Sequence, residues 1–288
     1  METTLRLYYS VFKLRIGFAI TLSALAGLAV TPGAAAPAWK IAVLALAVLL
    51  SSASAGAFNQ FVERDLDARM ARTRGRPFVT GALHAGPGWL TIIAAILVLA
   101  VAGAAYLLNP LVAFHVFMGA FVYGVVYTIW LKRRTWLNIW VGGLAGSFAV
   151  LAGAACVDSQ LRAAPLILAG VLFLWTPPHF WSLATALRED YTRGSVPMLP
   201  VVFGDTMAAR VILAHTVVLV LLSLLPIFFG MGWIYLVGAA TGGGLFVWRS
   251  VALVRDPGPR AAMANFHASL IQLSLLLVAA LADPWILG

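Results

Sequence analysis

Long apolar runs alternate along this chain with short bursts of charged residues. Each run is about 20 residues long, the length a helix needs to cross a hydrocarbon core in which backbone groups must be satisfied within their own segment. Nine runs qualify, at 14–31, 38–58, 88–107, 111–131, 138–156, 164–187, 209–229, 231–253 and 265–284. Pro110 and the pair Gly230 and Gly232 mark tight turns between successive helices. The expected fold is all-α, a polytopic membrane bundle of nine transmembrane helices. No intervening stretch is long enough for a second domain, so residues 1–288 read as a single integral-membrane domain.

The basic residues test that count, because short cytoplasmic loops collect Lys and Arg while translocated loops do not. With the N-terminus cytoplasmic, all 19 Lys and Arg except Lys40 and Arg162 fall on the inner side, which leaves the C-terminus outside. Clustered acidic residues share that side, and only Asp158 and Asp283, each isolated, are expected on the outer one. A basic start, an apolar core and the small-residue run "GAAAPA" also give the first helix the look of a cleavable signal peptide. Its removal would leave the remaining topology unchanged.

Composition agrees with a bilayer location. Mean hydropathy is +0.96 and only 10% of residues are charged, against about a quarter in soluble domains. The net charge of +9 is accounted for by orientation and anionic lipid, and no nucleic-acid partner is expected. A single cysteine, Cys156, excludes both a disulfide framework and a thiolate metal site within one chain, and reads as a small buried hydrophobe.

Against this background "NQFVERDLDARMARTRGRP", from Asn59 to Pro77, is unusual in packing eight charged residues into nineteen positions. Asn59, Glu63 and Asp67 are spaced by four, so on a helix they lie within about 80° of one another. Asp65 points to roughly the opposite side. Two carboxylates and an amide at a membrane surface suit Mg²⁺, which typically completes its shell with water and phosphate oxygens. The following "RTRGRP" supplies Arg72, Arg74 and Arg76, whose guanidinium forks complement phosphate oxygens. The same residues would also serve as an ordinary solvated loop whose arginines set topology, and spacing alone does not separate the two readings.

Other inner segments add to the picture. "YTIWLKRRTWLN" puts Lys132, Arg133 and Arg134 at the end of the fourth span near Tyr123 and Tyr127, and "LREDYTRGSVPMLP" puts Arg188, Glu189, Asp190 and Tyr191 at the end of the sixth. Within the sixth span, "LWTPPHFWSLATAL" contains Pro177 and Pro178, which are expected to kink or break the helix. His179 follows, roughly 16 Å from Asp190 along a helix axis. Its imidazole either bonds a carbonyl freed by the prolines or lines a substrate cavity, where it would be able to ligate a metal or haem iron. His84 is in a loop, and His115, His215 and His267 read as helix-packing residues. "GGLAG" from 142 and "TGGG" from 241 read as close helix contacts, lacking a Walker lysine or a preceding strand.

In order and spacing, "NQFVERDLDARMARTRGRPFVTG", "YTIWLKRRTWLNIWVGGLAGSF" and "WTPPHFWSLATALREDYTRGSVPMLPVV" resemble the signatures of the UbiA-type intramembrane prenyltransferases, in the protoheme IX farnesyltransferase branch. The opening "YYSVFKLRIGFAITLSALAG" is similar too, so the likeness covers nearly the whole chain. It implies Mg²⁺-dependent transfer of a farnesyl group from farnesyl diphosphate to a vinyl side chain of haem B at the cytoplasmic face of a bacterial inner membrane. Matching the family's N-x-x-x-D-x-x-x-D pattern makes Asn59, Glu63 and Asp67 the catalytic metal ligands and Arg72, Arg76, Lys132 and Arg133 diphosphate contacts. His179, Asp190 and Tyr191 become haem-side or second-motif candidates. Glu63 stands where the wider family usually has Asp, Gln60 where many members have Asp, and Leu14 where Pro is common. The second D-x-x-x-D motif has no counterpart, a loss shared by that branch.

The resemblance leaves open a haem A synthase or oxidase-assembly partner and a homo-oligomer. A prenyltransferase acting on a quinone or other aromatic precursor is the nearest competing function. A small-molecule transporter would also use buried polar groups and broken helices, but only one Pro-Pro break is present and the other half has no partner for it.

Overall fold

The structure, a computed structural model, describes residues 2–33, 35–160 and 162–287. Every regular element among them is helical: α1 (Glu2–Val11), α2 (Leu14–Ala29), α3 (Ala38–Val62), α4 (Arg64–Arg69), α5 (Pro77–Thr80), α6 (Gly88–Leu107), α7 (Pro110–Phe121), α8 (Asn138–Gly142), α9 (Leu144–Val157), α10 (Ala163–Ala186), α11 (Arg188–Arg193), α12 (Leu199–Phe203), α13 (Asp205–Leu224), α14 (Trp233–Arg255) and α15 (Pro259–Leu287). A π-helical segment, Val122–Leu131, continues α7, and a 3₁₀ turn, Leu225–Phe229, ends α13.

Among the described residues, eight helices are long and apolar enough to cross a membrane unaided. A ninth crossing forms if α1 and α2, bent by 48° where they meet, act as one span. The expected first span, 14–31, is thus a shorter α2 preceded by a second helix. The bend has a local cause: Lys13 adopts the left-handed conformation (φ 48°, ψ 41°), which a regular helix of L-residues does not accommodate. Ala34, in the "GAAAPA" run, lies outside the described residues.

Lipid tails are as apolar as leucine side chains, so bundles in a membrane are held by close packing and interhelical hydrogen bonds. The α2–α9 crossing depends on Gly27 and Gly153: a Cβ at Gly27 would stand 2.1 Å from the Val150 carbonyl oxygen, and one at Gly153 would stand 1.8 Å from that of Ala24. In the second half of the chain, buried polar groups tie four helices together. Asn265 on α15 donates to Ser182 of α10 (2.9 Å), and Ser250 of α14 lies 3.0 Å from the Asn265 oxygen and 3.2 Å from Thr216 of α13.

Of the kink or break expected at Pro177 and Pro178, a break is absent, and α10 runs on through both prolines. Its flanks are clamped to α15: Trp175 donates its indole N–H to the Ser269 carbonyl (2.9 Å), and His179 Nδ1 is 2.7 Å from the Ser269 hydroxyl. The short helices α4, α5, α11 and α12 gather at one end of the bundle with most of the charge.

Candidate active site

The site begins where α3 gives way to α4. Glu63 (φ −91°, ψ 17°) is the pivot, yet hydrogen bonds at four-residue spacing persist across it, from Glu63 N to Asn59 O (3.0 Å) and from Asp67 N to Glu63 O (2.8 Å). The stripe of Asn59, Glu63 and Asp67 therefore survives the change of helix. All three side chains face inward and are buried, at 2%, 1% and 2% exposure. Charged and amide groups at that depth require partners, and here each meets one cation. Lys13 donates to Asn59 Oδ1 (2.6 Å), Lys132 to Glu63 Oε2, and Arg76 to Asp67 Oδ2 (2.6 Å).

The Asn59 amide is oriented from its other end, its Nδ2 donating to Thr128 Oγ1 (3.0 Å), which itself donates to the Tyr123 carbonyl (2.8 Å). Glu63 Oε1 is buried with no hydrogen-bond partner, so one oxygen of the stripe has unused capacity.

These groups border a cavity of about 460 Å³ whose walls include Asn59, Asp67, Arg72, Arg76, Lys132, Tyr127 and Tyr191. Lys13, Ile16, Tyr123 and Phe180 line both it and a second, smaller cavity of about 120 Å³, bounded mainly by apolar or small residues such as Ile20, Val48, Ala120 and Ala149, with His115 among them. The arrangement is a charged vestibule opening into an apolar chamber. Tyr123 and Tyr127 stack with ring centroids 5.5 Å apart, presenting aromatic surface where the two cavities meet.

Arg72, Arg76, Lys132 and Tyr191 are thus brought together with Asn59 and Asp67, and Glu63 meets them through Lys132. Three other candidates are not. Arg133 turns away and grips Asp65 through two bonds of 2.7 and 2.8 Å, with side chains 45% and 54% exposed. The opposed direction expected for Asp65 carries Arg133 to the same outer face. That hydrogen bond holds the Asp65 carboxyl below its usual range, and it raises the Arg133 guanidinium in return.

His179 lines neither cavity. Its ring is stacked between Trp175 (4.1 Å) and Phe266 (4.5 Å), and its Nδ1 faces the Ser269 hydroxyl instead of a carbonyl freed by the prolines. Asp190 does not reach the vestibule. It accepts hydrogen bonds from the backbone amides of Ala71 (3.2 Å) and Arg72 (3.0 Å), and from Arg193 (2.5 Å). Burial pushes this carboxyl up, but the bonds from Arg72, Ala71 and Arg193 outweigh it, and the net shift is below the usual carboxylate range. Asp190 therefore anchors the loop that carries Arg72 and Arg76, while its neighbour Tyr191 faces the cavity, with the Arg72 guanidinium 6.0 Å from its ring centre.

The residues absent from the candidate set are Lys13 and Arg15, both at the vestibule wall. In the sequence they read as charges that fix topology, and only the left-handed turn at Lys13 aims an ammonium group at Asn59.

The profile of the UbiA prenyltransferase family matches residues 20–276. The chain belongs to this family. It is 58% identical, over the whole length of both chains, to a Paramagnetospirillum magneticum protein named protoheme IX farnesyltransferase 2. Among solved UbiA-like structures, a digeranylgeranylglyceryl phosphate synthase superposes with a TM-score of 0.80 over 99% of both chains at 18% identity. A UbiA homologue from Archaeoglobus fulgidus bound to DMAPP and Mg²⁺ superposes with a TM-score of 0.72 at 15% identity, covering 97% of this chain and 99% of that one. At such identities the structural likeness concerns the fold, and the family assignment rests on the profile and the full-length relative.

Proposed function

We propose that this chain is a membrane farnesyltransferase that joins C1 of farnesyl diphosphate to a vinyl group of protohaem IX, releasing diphosphate and giving haem O. The observation that carries the reading is the paired cavity: a vestibule walled by Arg72, Arg76, Lys132 and Lys13 suits a diphosphate head, and the apolar chamber sharing Ile16 and Phe180 suits the first part of an isoprenoid tail. The choice of protohaem as acceptor follows the name of the 58% identical relative.

Asn59, Glu63 and Asp67 would hold the divalent ion, Mg²⁺ by analogy with the Archaeoglobus fulgidus homologue. Two observations favour the fit: the unpartnered Glu63 Oε1, and an amide oxygen in register with the two carboxylates. Among the described residues no group of three or more His, Cys, Asp or Glu is arranged to hold a metal, so the amide and the substrate's phosphate oxygens have to complete the shell. When bound, the ion would neutralise charge on the departing diphosphate.

The remaining chemistry belongs to the protein. Arg72, Arg76 and Lys132 face the oxygens on which negative charge grows as the C1–O bond breaks, which lowers the barrier for ionisation. The stacked Tyr123 and Tyr127 present π surface to the positive allylic carbon. The apolar chamber limits premature attack by water. The vinyl π electrons then form the new C–C bond to C1. The cation left beside the porphyrin ring takes a water molecule and loses a proton, yielding a hydroxyethylfarnesyl side chain.

We further take the whole chain as one catalytic unit, with the charged end of the bundle and the vestibule at the cytoplasmic face of a bacterial inner membrane and the C-terminus on the far side. The inner-side excess of Lys and Arg supports that orientation. Mass spectrometry of haems extracted after expression tests the function: haem O is expected with the natural sequence and only haem B with Glu63→Gln plus Asp67→Asn. Prenylation of a 4-hydroxybenzoate-like phenol in preference to protohaem would overturn the choice of acceptor.

A further inference from the structure

Lys13 stands out because three unrelated features converge on it. It is one of two described non-glycine residues with positive φ, a conformation that costs energy and persists where the surroundings impose it. Its aliphatic stem crosses α3 at Gly56, where a Cβ would lie 3.3 Å from Lys13 Cβ and 3.4 Å from its Cδ, so any larger residue would crowd the stem. Its ammonium group ends on Asn59 Oδ1 (2.6 Å), with Tyr123 Oη at 3.1 Å, at the seam between vestibule and chamber.

Lys13 is also one of a set. Asn59, Glu63 and Asp67 are each held by a cation, Lys13, Lys132 and Arg76 respectively. Lys132 and Arg76 thus compensate the two carboxylates and Lys13 occupies the amide oxygen, so a bare divalent ion entering this cluster must displace three side chains to gain more than the open Glu63 Oε1. A diphosphate ester and its metal ion together carry net negative charge, and the phosphate oxygens offer each of the three cations a new partner.

Resting on the reading that these oxygens bind the metal, we propose that Lys13, Lys132 and Arg76 are stand-ins for the divalent ion, and that the ion binds productively only together with diphosphate, as the three cations move from the stripe to the phosphate oxygens. Lys13 becomes a diphosphate ligand in that exchange. The device would keep the carboxylates neutralised in the resting protein and prevent metal from occupying the site without substrate.

Equilibrium dialysis of the detergent-solubilised full-length chain against radiolabelled Mn²⁺, with and without inorganic pyrophosphate, tests this. The natural sequence is expected to retain Mn²⁺ at least tenfold more tightly with pyrophosphate than without it. Lys13→Met should reduce that ratio to about threefold or less, by raising retention of Mn²⁺ alone and weakening retention with pyrophosphate. Lys13→Gly, which suits the left-handed backbone, should behave in the same way, so that agreement of the two variants excludes a folding artefact. Equal retention of Mn²⁺ with and without pyrophosphate by the natural sequence, or an undiminished ratio in both variants, would overturn the exchange while leaving the metal site standing. Absence of Mn²⁺ under both conditions would overturn the metal site itself, and the exchange with it.

Discussion

Replacing Asp190 with Ala would remove the acceptor that holds the backbone amides of Ala71 and Arg72, and with it the anchor of the loop bearing Arg72 and Arg76. Hydrogen bonds to a charged acceptor contribute about 1.5–3 kcal/mol each. Ala71 and Arg72 are exposed residues, so water recovers much of that loss. The Arg193 pair adds little, since its guanidinium side chain is 58% exposed. A net cost of about 2 kcal/mol corresponds to roughly a 30-fold shift toward the unanchored loop. Hydrogen exchange at the two amides should accelerate by about that factor, and KM for farnesyl diphosphate should rise by roughly tenfold or more while kcat stays within about threefold. Asp190→Asn, which retains one acceptor oxygen, should fall between Ala and the natural residue. Unchanged amide protection in Asp190→Ala would refute the anchoring role. A fall in kcat with KM unchanged would instead put Asp190 beside the reacting atoms.

The carboxyl is depressed in the folded protein, so its stabilisation is complete above the unfolded value near 3.9 and is lost only as pH falls through the lower, folded value; amide protection at Ala71 and Arg72 should accordingly be flat from neutral pH to about pH 5. Arg133→Ala removes an exposed pair with Asp65 worth about 1 kcal/mol or less, and turnover should stay within about twofold in a steady-state assay. His179→Phe keeps the stack with Trp175 and Phe266 but loses the bond to Ser269, so Tm should fall by a few degrees with activity retained; a tenfold loss of activity at unchanged Tm would contradict its packing role. Gly153→Val drives a side chain into the Ala24 carbonyl and should abolish monodisperse elution on size exclusion, an outcome Gly103→Val should not share, because a Cβ there meets nothing within 4 Å.

The membrane architecture could be read from the sequence because its cause is local: a run of apolar residues long enough to span hydrocarbon announces itself. The stripe on α3 and α4 was legible for the same reason, since four-residue spacing sets one face whether or not the helix bends at Glu63. Contacts between distant segments were not legible. Asp190 binds main-chain amides 118 and 119 positions away, leaving no pattern of side-chain types to detect. Arg133 and Lys132 are adjacent, yet one meets Asp65 on the outer face and the other Glu63 inside, a choice made by packing. Lys13 reaches Asn59 across 46 positions by way of a left-handed turn that nothing in "FKLRIG" signals. The two prolines of α10 lack amide donors, yet the helix continues through them, with α15 bonded to it on both sides.

The π-helical segment Val122–Leu131 illustrates how far regularity and competence can diverge. Its wider turn, closed by the Lys132 amide on the Tyr127 carbonyl (2.9 Å), lets Tyr123, Tyr127, Thr128 and Lys132 converge on the cluster around Asn59 and Glu63. Deleting a single residue there would favour an ordinary α-helix, at the cost of the wide turn that brings these four side chains together. Such a shortened chain would be the more ideal helix and the poorer catalyst, so length in this segment is itself under functional constraint.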